Sequence, residues 1–141
     1  MLNQDIIIEI SKHLSIKDII KLTNICKNMD KLKYKIVYDN DVIEYDKIKN
    51  LTFFENFKKI SYWAIKLEIP ESITHLTFGD DFNQPLEGSI PKSVTHLTFG
   101  DDFNQPLEKS IPKSVTHLTF GFSFNQPLEK SIPKSVTHLT F

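Results

Sequence analysis

The sequence has little of several features that often decide a protein's class. It contains one cysteine, Cys26, among 141 residues, so an internal disulfide is excluded. The longest apolar run near the N-terminus is Ile6–Ile8. That run is too short for a signal-peptide core or a membrane span. These absences predict a soluble intracellular protein.

Arginine is absent and glycine is scarce. Every one of the 17 Lys or Arg positions is lysine, which removes the planar guanidinium that pairs with phosphate and carboxylate groups through two hydrogen bonds. The formal net charge is −1, so the whole-molecule charge gives no attraction to nucleic acid or to an anionic membrane. The four glycines form no phosphate-binding loop motif. We expect no nucleic-acid partner, no membrane partner, no metal and no cofactor.

What the chain has instead is one 21-residue phrase written several times. Residues 91–111 read PKSVTHLTFGDDFNQPLEKSI, and nearly the same string fills 70–90 and 112–132. Its first nine residues return at 133–141. Self-similarity at a fixed period indicates a repeat architecture in which each copy packs against its neighbours.

Each copy has the pattern of one coil. Leu97 and Phe99 are two residues apart, so they point to the same face of a strand. Gly100 then permits a turn with positive φ, and Pro106 and Pro112 exclude a regular helix on the return path. One copy cannot bury its apolar side chains alone, whereas stacked copies bury them against each other. The pattern therefore predicts a parallel β-solenoid.

The first third of the chain has another period. Ile6, Ile10 and Leu14 are four apart, as on one face of a helix, and Ser15 followed by Asp18 is typical of a helix start. We predict two or three short helices within residues 2–33. KIKNLTF at 47–53 aligns with SVTHLTF at 93–99 and predicts an irregular first coil.

These patterns predict three domains. They are a helical domain at 1–40, an irregular first coil or cap at 41–69, and three full copies with a partial fourth at 70–141. The fold class is α+β, with short helices followed by a small parallel β-solenoid.

The helical stretch resembles an F-box. It reads LNQDIIIEISKHLSIKDIIKLTNICKNM over residues 2–29, with Asn3 and Met29 where the family usually has proline and tryptophan. The residues in register with the family pattern are Leu2, Ile6, Ile10, Leu14, Ile16, Asp18, Ile19, Leu22, Ile25, Cys26 and Lys27.

The copies resemble a second family. FNQPLEGSIPKSVTHLTFG at 82–100 is similar to FNIP repeats, which are related to leucine-rich repeats. F-box and FNIP repeats occur together in social amoebae and in giant viruses of amoebae. The resemblance implies a cytoplasmic protein, in the host cytoplasm if it is viral.

Together the two resemblances imply a role without catalysis. F-box proteins typically dock onto Skp1 and join a cullin-type ubiquitin ligase, while their second domain holds the target protein. The alternative is a plain repeat scaffold for protein interactions, without a ligase. In either case we expect no enzyme, and the target is unknown.

The Skp1-facing surface is the first candidate site. Its apolar side chains exceed what three small helices bury among themselves, and such a surplus is typical of a partner surface. The alternative is that they pack onto the first solenoid coil. The set is Leu2, Ile6, Leu14, Ile16, Ile19, Leu22 and Ile25.

The target-binding surface is the second candidate. His96 and Thr98 flank Leu97, so they face away from the core, and stacked copies should align four histidines in a row. A linear row does not form the tetrahedral cage of a zinc site. Phe122 could be an exposed anchor or could fold over the end of the stack. The set is His75, His96, Thr98, His117, Thr119, Phe122 and His138.

Two other repeated positions have structural interpretations. Asn83, Asn104 and Asn125 should form a buried ladder that satisfies backbone groups of the next coil. The Asp-Asp pairs after Gly79 and Gly100 suit solvated turns. They do not suit calcium, because the third copy has Phe-Ser there.

The last copy stops in mid-phrase at Phe141. Its strand should leave an unpaired edge, which proteins normally protect. We therefore expect a frayed C-terminus, self-association through this edge, or a truncated gene product.

Overall fold

The computed structural model describes residues 4–24 and 31–141. The chain divides into two compact units, a helical unit at 1–59 and a repeat unit at 60–141. Within the described residues, no helix is long and apolar enough to cross a bilayer. The domain limits that the sequence suggested, at residues 40 and 69, stay predictions.

The helical unit is built from short elements. They are helices α1 (Gln4–Ser11) and α2 (Ile16–Asn24), a 3-10 helix at Lys31–Tyr34, strand β1 (Ile43–Glu44), helix α3 (Tyr45–Ile48) and a 3-10 helix at Phe54–Asn56.

The start of α2 is capped as the sequence predicted. The Asp18 backbone N–H donates to Ser15 Oγ at 3.2 Å, and Ser15 Oγ donates to the Asp18 carboxylate at 2.7 Å. These bonds satisfy a backbone donor that has no partner within the helix. The Asn40 side-chain amide donates to the Ser11 carbonyl at 3.1 Å, which holds the end of α1.

An aromatic cluster forms much of the core of the helical unit. Tyr38, Phe53 and Phe57 are buried, and the rings of Tyr38 and Phe57 stack with centroids 4.5 Å apart. Burial raises the pKa of Tyr38 to about 12, so its phenol stays neutral at physiological pH.

The repeat unit contains five parallel strands in sequence order. From β3 onward the pairing register equals the repeat, so that His75 lies beside His96, which lies beside His117. This ladder confirms the parallel β-solenoid. The strands are β2 (Ile60–Ala64), β3 (His75–Phe78), β4 (His96–Thr98), β5 (His117–Thr119) and β6 (His138–Thr140).

The solenoid core consists of columns of identical side chains. Leu97 and Phe99 are buried, on the same side of their strand as predicted. The Phe99 ring lies 5.5 Å from that of Phe78 in the coil before and 5.4 Å from that of Phe120 in the coil after. It also stacks on Phe103 of its own copy at 4.1 Å. Burying each such ring contributes about 1.5–3 kcal/mol.

The first coil differs from the prediction. KIKNLTF at 47–53 does not form a strand, because its start belongs to α3 and a turn follows at Lys49 and Asn50. The first strand of the repeat unit is instead β2, where Tyr62 pairs with Leu76. Isoleucine, tyrosine and tryptophan in β2 favour extended backbone. This preference placed the strand at β2 and not at residues 51–53, where the sequence shares the letters LTF with the repeats.

The glycines after the strands are required for a different reason from the one that the sequence predicted. Gly100 does not have a positive φ. A Cβ atom there would lie less than 3.0 Å from the backbone of Gly79 in the preceding coil, so glycine permits the close approach of two coils. Positive φ occurs later in the copies, at Gly88 (76°), Lys109 (56°) and Lys130 (65°).

Candidate interaction surfaces

The histidine column lies on the outer face of the parallel strands. His75, His96, His117 and His138 stand one above the other, and neighbouring ring centroids are 4.1 Å apart. The rings are tilted by 12° or less, so they stack nearly face to face. The row that the alternation predicted is confirmed, although the first three rings are half-buried and His138 alone is exposed.

Threonines orient these rings. The Thr95 hydroxyl lies 3.2 Å from the Thr74 carbonyl, to which it donates, and 2.9 Å from His96 Nδ1. Because the hydroxyl has only one hydrogen, it accepts from Nδ1–H. In the neutral ring this arrangement favours the tautomer with its proton on Nδ1, which leaves Nε2 as an acceptor. The same arrangement recurs at His117 and His138.

Stacking also affects protonation. The pKa of His96 is lowered, first because burial disfavours the charged imidazolium, and then because a charge on His117 or His138 would repel it. A proton on an inner ring therefore weakens the stack.

The outer face is polar but carries no carboxylate or lysine. Strands β2 to β6 contain neither, and Thr98 and Thr119 lie half-buried beside the histidines. Trp63 of β2 pairs with Thr77, so it continues the threonine column, and its side chain is exposed. We missed Trp63 because β2 lies within 41–69, the segment that the sequence assigned to an irregular first coil. The face suits a neutral, hydrogen-bonding partner surface.

Phe122 does not lie on this face. It occupies the turn after β5 and is 96% exposed. Of the two alternatives that the sequence left open, the structure has the exposed ring and not the one folded over the stack. Its use as a binding anchor stays a prediction.

The asparagines form a ladder between coils. The backbone N–H of Asn104 donates to Asn83 Oδ1 at 3.0 Å, and that of Asn125 donates to Asn104 Oδ1 at 2.9 Å. The Gln105 amide adds a second donor to Asn83 Oδ1 at 2.9 Å. The structural role is as predicted, but the ladder lies at the surface: Asn83 and Asn125 are exposed.

The aspartate pairs are solvated. Asp80, Asp81, Asp101 and Asp102 are exposed, and the Asp102 N–H donates to the Asp80 carbonyl at 2.9 Å. In the part of the chain that the structure describes, no three His, Cys, Asp or Glu side chains converge on a possible metal position.

The helical surface presents fewer of the predicted residues. Ile6 is 50% exposed and Ile10 is 44% exposed, whereas Ile16 and Ile19 are buried. Burial of the latter two gives them a part in packing α2. Leu14 and Leu22 are half-buried. Leu2 and Ile25, with Asn3, Cys26 and Met29, lie outside the described residues.

Comparison with known families decides what the stacked coils are. The sequence model of the family described as FNIP Repeat matches residues 64–102 and 103–141, more than half of the chain. The chain belongs to the FNIP-repeat family. The family match begins within β2, so this FNIP-repeat protein carries its helical unit outside the matched region.

Relatives of this FNIP-repeat protein come from a giant virus. It is 39% identical over 82 residues to protein L168, and 40% identical over 83 residues to protein L165, both named as candidate F-box proteins of Acanthamoeba polyphaga mimivirus. The matches cover 55% and 59% of this chain. They span only 38% and 30% of those relatives' length.

A solved structure supports the leucine-rich-repeat character of the coils. The crystal structure of CroV588, described as a novel circular LRR protein, is 40% identical and superposes with a TM-score of 0.52. The superposition covers 61% of this chain and 14% of that protein.

Proposed function

We propose that this FNIP-repeat protein is a non-catalytic adaptor of a Skp1–cullin-type ubiquitin ligase in the host cytoplasm. The helical unit docks onto a Skp1-like protein, and the outer face of the repeat unit holds the target protein. The observation that carries the proposal is a pair of exposed isoleucines, Ile6 and Ile10, one turn apart on α1, within a segment that resembles an F-box. The names of the mimivirus relatives support it.

The exposed pair supports α1 as the proposed docking surface. Residues four apart lie on the same face of a helix, so Ile6 and Ile10 form one apolar strip. Truncation of a hot-spot residue, one of the few near the centre of an interface that dominate binding, costs about 2 kcal/mol or more. Because Ile19 is buried, a substitution there would unfold α2 and could not report on docking.

Co-purification with Skp1 from an amoebal host tests the proposal. We expect the full chain to retain Skp1, and the variant with Ile6→Asp and Ile10→Asp to lose it, because two carboxylates in an apolar contact stay unpaired. Lys17→Asp, an exposed position on α2, is the matched control and should retain Skp1. Circular dichroism checks that all three chains fold.

A second function has one observation in its favour. The FNIP match begins at residue 64 and does not reach the helices, so a repeat scaffold without a ligase is the alternative. A folded wild-type chain that fails to retain Skp1 would overturn the adaptor and favour this alternative.

A further inference from the structure

A groove of about 870 Å³ lies on the return segments of the repeat unit. None of its lining residues belongs to a strand, so it is separate from the histidine face. Its apolar lining comes from Ile111 and Pro112 and from their equivalents one copy later, Ile132 and Pro133.

Lysines give this groove a strong positive charge. Five of them line it, and no aspartate or glutamate does. In the part of the chain that the structure describes, none of the five ammonium groups pairs with a carboxylate within 4.0 Å. They occupy two repeated positions and are Lys92, Lys113 and Lys134, and Lys109 and Lys130.

The first copy lacks this charge. Glu71 stands at the position of Lys92, and Gly88 at that of Lys109. Strands β2 to β6, which form the histidine face, contain no lysine. Five of the six lysines of the repeat unit therefore line this one groove.

Two serines in the groove have polar groups without a partner. The Ser114 and Ser135 hydroxyl oxygens are buried and make no hydrogen bond, and both residues line the groove. The equivalent Ser93 hydroxyl donates to the Ile73 carbonyl at 2.7 Å. A buried hydroxyl without a partner is unfavourable, but neither oxygen is exposed, so the lysine ammonium groups and not these hydroxyls are available to a ligand.

We propose that the groove binds an extended acidic segment of another protein. Its carboxylates meet the lysine ammonium groups, and its aliphatic side chains lie on the isoleucines and prolines. A nucleic-acid strand fits less well, because single-strand sites use aromatic stacking platforms and the groove lining contains no aromatic side chain. The proposal stands whether or not the helical unit binds Skp1.

Fluorescence anisotropy with the purified full chain tests the groove without Skp1. The probe is a labelled peptide of alternating glutamate and valine, and the reference peptide has glutamine in place of glutamate. We expect the acidic peptide to bind at least about tenfold more tightly, with an affinity that falls as salt screens the lysines.

Two variants locate the binding. Lys113→Glu with Lys130→Glu should weaken binding of the acidic peptide at least about tenfold, because two attractions become repulsions. Lys59→Glu with Lys66→Glu makes the same change of net charge at two residues that do not line the groove and should leave the affinity within about threefold, since salt screens exposed charges that make no direct contact. The milder Lys113→Gln with Lys130→Gln should give an intermediate loss.

Three results would overturn the proposal. One is equal affinity for the two peptides, and another is an equal loss in both glutamate variants, which would show a general charge effect. The third is tighter binding of a labelled oligouridylate of matched charge, which would make the groove a nucleic-acid site. Circular dichroism of the glutamine variant ensures that its loss is not one of folding.

Discussion

The same four letters, HLTF, have different surroundings at an inner coil and at the last one. At 96–99, Leu97 and Phe99 are 1% and 2% exposed, whereas at 138–141, Leu139 and Phe141 are 43% and 70% exposed. Strand β4 has a neighbour on either side, but among the residues that the structure describes β6 pairs only with β5. A copy therefore does not carry its own core. Its side chains are buried by the coils before and after it, as expected for a linear array.

The largest expected effect on stability comes from removing a ring from the buried phenylalanine column. Phe99→Ala should lower the free energy of unfolding by about 3–5 kcal/mol, because the ring contacts Phe78, Phe103 and Phe120 and leaves a cavity. Phe141→Ala, the same change at the exposed copy, should cost under about 1 kcal/mol. Urea unfolding followed by the fluorescence of Trp63, the only tryptophan, measures both. Similar losses would mean that β6 is as well covered as β4.

A smaller effect should follow from adding one methyl group between coils. Gly100→Ala places its Cβ against the backbone of Gly79, and such overpacking costs about 1–3 kcal/mol. At Gly79 the nearest atom to an added Cβ is Trp63 Nε1 at 3.2 Å, an exposed side chain that can move, so Gly79→Ala should cost less. Thermal unfolding compares the two. Equal costs would show that backbone freedom, and not close approach, requires these glycines.

The smallest effect concerns the inner histidine. The unfolded chain takes up a proton at His96 near pH 6.5, but the folded chain does so only at lower pH because its pKa is lowered. Between these two values the unfolded state binds more protons, so stability falls as the pH drops below 6.5. Urea unfolding at about pH 7.5 and about pH 5.5 brackets the ordinary pKa of histidine. His96→Thr should reduce the difference between the two, and an unchanged difference would contradict the assignment.

The repeat made much of the solenoid predictable. Because the period is constant, it determines the register, and the alternation around Leu97 determines which side chains are buried. The column of histidines and the coil-to-coil asparagine bonds follow from the same two facts. Because each copy adopts the same conformation, one correct assignment of the strand and its buried side chains applied to every copy.

The sequence did not predict features outside the repeat, or features that depend on how deeply a side chain is buried. β2 shares no letters with HLTF, so its place in the ladder could not be aligned. The lysine groove depends on how the return segments curve, which the spacing of Lys113 and Lys130 does not reveal. On the helices, a period of four shows which isoleucines share a face, but not that Ile19 would be covered and Ile6 left exposed.

The hydrogen bonds between the repeated coils join positions that are 20 to 22 residues apart, as from Ser93 to Ile73, from Asn104 to Asn83 and from Gln105 to Asn83. Excising one whole copy would bring the next copy onto equivalent partners, because the copies differ at only a few positions. Copy number is therefore a property that unequal recombination can alter in one event while each surviving coil keeps its contacts. Evolution of such a protein can proceed by lengthening and shortening before it proceeds by substitution.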